Sequence, residues 1–167
     1  AELLWIVDIY GFMIAALLII MGTLGDRIGR RRLLMLGAAG FAVTSTLAAF
    51  STSAEMLIAA RALQGIAGAT LAPSTLSLIR NMFPDDRERT VAIGIWVASF
   101  SAGAALGPVF GGIIIESYWW GAVFLVNVPL MLLLLAAGPY LLPEYRDPAA
   151  GRLDLASAGL SLLTVLP

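Results

Sequence analysis

The chain has no cysteine, no histidine and no lysine in its 167 residues. The first absence excludes disulfides, thiolate metal sites and cysteine nucleophiles. The second removes the side chain that most often serves as a general base near neutral pH, and the commonest metal ligand. Proton chemistry therefore falls to carboxylates, and neither a metal site nor a cofactor is expected. Charge is scarce too: 13% of residues are charged, against roughly 25% in soluble domains. A net charge of -1 leaves no basic face for nucleic acid.

What is abundant is apolar. Hydrophobic residues make up 60% of the chain, and the mean hydropathy is +0.93. Apolar stretches of about 20 residues, the length that spans a bilayer, run over roughly 5–24, 33–51, 56–79, 91–115 and 121–142. The expected fold class is all-α, a polytopic transmembrane bundle. Residues 1–142 hold the five spans, 143–154 a linker, and 155–167 the start of a further span. That last run stops at Pro167 after 13 residues and the chain opens on Ala1 without a methionine, so a piece of a longer protein is expected.

Every basic residue except Arg61 lies in alternate loops: Arg27 and Arg30 to Arg32, then Arg80, Arg87 and Arg89, then Arg146 and Arg152. The other two loops carry none. Positive residues stay on the cytoplasmic side, and tryptophans favour the interfaces. The arginine loops and the 143–154 linker are thus expected in the cytoplasm, with Trp5, Trp119 and Trp120 at the opposite face.

Four places carry candidate chemistry. Gly22-Thr23-Leu24-Gly25-Asp26-Arg27-Ile28-Gly29-Arg30-Arg31-Arg32 pairs an acid with a run of arginines at a membrane edge. Asp26 is placed to meet a helix N-terminus, and Arg30 or Arg31 to reach Asp85, Asp86 and Glu88. Arg61 lies about six residues, near 9 Å, inside its span. Burying it costs about 2.5 to 3.5 kcal/mol on insertion scales. It is therefore read either as a functional charge with a polar partner or as an anchor between two helices. Asp8 is the only carboxylate well inside a span, at a depth Arg61 could reach. It is either a hydrated interfacial acid or a cation- or proton-binding group facing a cavity. Finally, Gly103, Gly107 and Gly111 recur every four residues, drifting roughly 40° per step. Together with Gly112 and Pro108 they are expected to form a groove for a neighbouring backbone and a kink.

These motifs resemble those of the major facilitator superfamily. The first matches G-x-L-x-D-R-x-G-R-R between the second and third helices. Arg61-Ala62-Leu63-Gln64-Gly65 resembles the fourth-helix motif, and Gly103 to Gly112 the g-x-x-x-G-P-x-x-G-G motif of its antiporter branch. Leu4-Trp5-Ile6-Val7-Asp8-Ile9-Tyr10, Phe124-Leu125-Val126-Asn127-Val128-Pro129 and Gly151-Arg152-Leu153-Asp154 narrow it to the fourteen-helix drug:proton antiporters of the QacA, SmvA and EmrB type. Gly121 departs from many members, which place a basic residue there.

The resemblance implies helices two to six of a secondary transporter in a bacterial inner membrane, not an enzyme. It implies proton-coupled efflux of lipophilic, cationic drugs by alternating access, with protons as the coupling ion. Asp8 and Arg61 would serve coupling; Gly22, Asp26, Arg27, Gly29, Arg30 and Arg31 would form the gating loop. Tyr10, Phe12, Gln64, Trp96 and Phe100 either contact substrate or fill space. The implied partners are the lipid bilayer, small lipophilic cations and the remaining helices. A solute importer of the same fold is the alternative, and a non-transporting receptor or assembly subunit the more distant one.

Overall fold

A computed structural model describes residues 2–146, with side chains from Leu4 onward. The expected linker from 147 and the span beginning at 155 lie outside the described residues. The chain forms α1 (Glu2–Ile28), α2 (Arg30–Ala49), α3 (Ala54–Met82), α4 (Asp86–Ser117), α5 (Ala122–Leu125) and α6 (Asn127–Leu141). Five segments are long and apolar enough to cross a membrane, with α5 and α6 together forming the fifth. The break between them has a simple cause. Pro129 has no N–H for the carbonyl of Leu125, and it is tolerated because it falls in the first turn of α6.

The motif expected to form a loop between α1 and α2 is instead almost wholly helical. The α1 helix runs through Asp26 to Ile28, and the turn is made by Gly29 alone, at φ 112°. Only glycine adopts that conformation without strain.

The core lies where α1, α2 and α3 meet, and small residues bring it together. A Cβ on Gly37 would overlap the Thr70 hydroxyl, and one on Gly65 would press on Met13 and the Tyr10 carbonyl. Thr70 is occupied locally, donating to the Ala67 carbonyl at 2.7 Å. Such close backbone approach is how helices associate where lipid removes any hydrophobic difference. Leu34 and Leu78 fill this core, while many large apolar side chains, Ile19, Val43 and Leu133 among them, point outward, as a bilayer requires.

Against this core α4 is an outlier. Among the described residues it buries none of its own, and nothing approaches within 4 Å of a Cβ placed on Gly103, Gly107, Gly111 or Gly112. The expected glycine groove exists, about 500 Å³ and walled on the other side by Val123, Asn127 and Leu130. No backbone fills it among the described residues, whereas Gly37 of α2, Gly65 of α3 and Gly138 of α6 are each closed on by a neighbouring helix. The α4 helix continues through Pro108. At Gly121 a Cβ would overlap the Ala49 carbonyl, so no side chain, basic or otherwise, has room there.

Candidate functional site

Arg61, Gln64 and Ser45 form one connected polar line that joins three helices. Arg61 of α3 donates from Nε to the Ile6 carbonyl of α1 at 3.2 Å and from Nη1 to Gln64 Oε1 at 3.0 Å. Gln64 in turn donates from Nε2 to Ser45 Oγ of α2 at 2.8 Å. The guanidinium carbon lies 4.4 Å from the Tyr10 ring centroid and 5.8 Å from that of Phe124. Tyr10 itself is held edge-on by Phe41, with centroids 6.4 Å apart.

Among the described residues this cluster holds a cation without an acid. Hydrogen bonds from a charged donor contribute about 1.5 to 3 kcal/mol and each ring about 0.5 to 2. These gains offset the burial of the guanidinium. Gln64 is only 1% exposed, and both ends of its amide are engaged. It therefore positions Arg61 and leaves no face for a substrate.

Asp8 does not join the cluster. Ile6 and Tyr10, four residues apart, share the face of α1 toward Arg61, and Asp8 lies halfway round the helix from them. It is exposed and lines an open groove of about 180 Å³ with Leu4, Trp5 and Phe12. No ion pair links it to Arg61 among the described residues. The expected approach of these two charges is thus not made, because Arg61 is drawn to the other side of the helix.

Trp96 and Phe100 stack on α4 with centroids 6.2 Å apart. The Trp96 indole N–H donates to Thr75 Oγ1 at 3.3 Å, tying α4 to α3, while Phe100 is exposed.

At the α1–α2 corner Asp26 meets the first residue of α2. Its Oδ1 accepts from Arg30 Nε at 2.9 Å and Nη2 at 2.5 Å. Arg30 is buried and also reaches the Pro73 carbonyl at 3.4 Å. Arg31 turns toward the end of α6, donating to the carbonyls of Pro139 and Leu142 at 3.2 and 3.0 Å. Pro143 has no N–H for the Pro139 carbonyl, so the arginine satisfies an orphaned acceptor at the negative end of a helix.

Neither arginine reaches Asp85, Asp86 or Glu88, contrary to the expectation. Asp85 caps α4, accepting from the N–H groups of Arg87 and Glu88, each at 3.0 Å, and Asp86 pairs with Arg89. Local partners win because they require no long-range ordering. Arg27 is exposed, and a Cβ on Gly22 would meet open space.

Ser45 and Glu144 are not marked as site residues by the sequence, and Phe124 enters it only as the start of a motif. Ser45 had a signal in the Thr44-Ser45-Thr46 triplet within an apolar helix. Nothing in the sequence marks the contact of Phe124 with Arg61, since it depends on the approach of a distant helix.

A multi-pass helical bundle with a half-buried arginine held by neutral partners among the described residues, and an ion pair locking one helix corner, defines a polytopic membrane protein. The chain matches the Major Facilitator Superfamily over residues 1–166, and it belongs to that family. It is 60% identical over 98% of its length to the multidrug efflux pump LfrA of Mycolicibacterium smegmatis, covering 32% of that protein. It is 44% identical over 99% of its length to the methyl viologen resistance protein SmvA of Salmonella typhimurium, covering 33%. Identity is 42% over 98% of the chain to the tetracenomycin C resistance and export protein of Streptomyces glaucescens, covering 30%. The chain spans about a third of the length of these relatives.

Proposed function

We propose that the full-length protein exports lipophilic, cationic drugs or biocides from the cytoplasm across a bacterial inner membrane in exchange for protons, by alternating access. The observation that carries this reading is Arg61, an interior cation stacked on Tyr10 and bonded to Gln64 and Ile6. An ionisable side chain inside a transmembrane bundle is a functional-site hypothesis by default, and three similar proteins are named for efflux, resistance or export.

Asp8 is the proton- and cation-binding acid, with Trp5 and Phe12 beside it on one face to hold an organic cation by its charge and by cation–π attraction. Arg61 is the counter-charge that keeps a second cation from the interior. The arginine loops face the cytoplasm, and Gly22 to Arg31 brace the gate there. The α4 glycines receive one of the remaining helices. Two helix bundles rock about the midplane so that Asp8 exchanges its proton on one side and its drug on the other. Protons are the coupling ion and no cofactor takes part.

The test is dye efflux from proteoliposomes containing the full-length protein. An imposed pH gradient should drive accumulation of a cationic dye, and Asp8→Asn should abolish the dependence on the gradient. Equilibration of dye without any response to pH would overturn the antiport reading in favour of a facilitator.

A further inference from the structure

The α2 helix begins without a cap of its own. Its N-cap residue is Gly29, which has no side chain to offer and makes no capping bond. The first backbone N–H groups of a helix have no intrahelical partner, and next to a membrane an unpaired one is costly. Here the acceptors come from far along the chain. The Arg31 N–H donates to Glu144 Oε1 at 3.1 Å and the Arg30 N–H to the Tyr145 carbonyl at 2.9 Å. The fit is close, since a Cβ on Gly29 would overlap the Glu144 carboxylate.

Glu144 also has arginines nearby, but the geometry separates two roles. Its Oε2 stands 3.7 Å from Arg31 Nε and 3.8 Å from Arg32 Nε, and has no hydrogen bond among the described residues. The shorter contact is to the backbone. Arg31 spends its guanidinium on the carbonyls of Pro139 and Leu142 instead, which holds the segment after α6 in place for the cap.

We propose that Glu144 is the missing N-cap of α2, a positioning residue through which the segment leaving α6 fixes the Asp26–Arg31 corner. It acts as a hydrogen-bond acceptor for the helix and not as an ion-pair partner of the arginines. The consequence for gating rests on the transport reading above; the cap itself does not.

Hydrogen exchange of the backbone amides at Arg30 and Arg31, in purified full-length protein in detergent, tests the cap without substrate or gradient. Loss of an N-cap acceptor should speed exchange there by about fivefold in Glu144→Ala. Glu144→Gln keeps a carbonyl acceptor, and Arg32→Ala removes only a long ion pair, so both should stay within about twofold of the parent. Exchange in Glu144→Gln as fast as in Glu144→Ala, or loosening by Arg32→Ala, would assign the contact to charge and overturn the proposal. Parent-like protection in Glu144→Ala would overturn it as well. Should that variant fail to fold, the glutamine and Arg32 variants still decide.

Discussion

At the scale of single residues, the telling feature is that Arg61 is held by a glutamine, a carbonyl and two rings. A guanidinium can lie flat on Tyr10 while its edge donates to Ile6 and Gln64; an ammonium is a compact point charge and cannot do both. Arg61→Lys keeps the charge but forfeits contacts of about 1 to 3 kcal/mol. It should lower gradient-driven dye efflux about tenfold in proteoliposomes while the protein still inserts. Efflux at the parent rate would mean that charge alone suffices. Part of this site was legible beforehand. Arg61 and Gln64 lie three residues apart on one helix, so their pairing follows from sequence spacing. Phe124 and the Ile6 carbonyl lie on other helices, and nothing local marks them. The expected link between Asp8 and Arg61 failed for the same reason, because depth in a membrane fixes height and not the face of the helix.

At the scale of helices, glycines that look alike in sequence do different work. Gly37 is closed on by Thr70, whereas Gly107 opens on a groove with no neighbour among the described residues. Gly37→Leu should therefore lower the thermal stability of the full-length protein by several degrees, since overpacking costs about 1 to 3 kcal/mol. Gly107→Leu should cost less stability than Gly37→Leu yet reduce efflux, since the groove receives one of the remaining helices under the transport reading. A melting curve and a transport assay on the same preparations separate the two. The Gly-Pro-x-x-Gly-Gly run is conspicuous in the sequence because it breaks helix rules; Gly37 is not, since only the facing Thr70 makes it necessary. The five apolar spans were readable because bilayer thickness sets their length. The helical course of the Asp26 motif was not, because one glycine at positive φ turns the chain where a loop of several residues was expected.

At the scale of the whole molecule, the arginine loops set the orientation. Arg27 is exposed beside the α1–α2 corner, and Ser53 stands at the opposite end of the bundle, where it caps α3. These 167 residues hold no cysteine, so no native thiol within them competes with an introduced one. Arg27→Cys should react with an impermeant thiol reagent only from the cytoplasmic side, and Ser53→Cys only from the other. Labelling of both from one face would sink that orientation. The Glu144 contact also sets a clock for synthesis. Its partner Arg31 lies 113 residues earlier, and ribosomes add about 5 to 20 residues per second. The start of α2 is thus synthesised about 6 to 23 s before its acceptor. For that interval the corner is unfinished, and only the emergence of the stretch beyond α6 completes it.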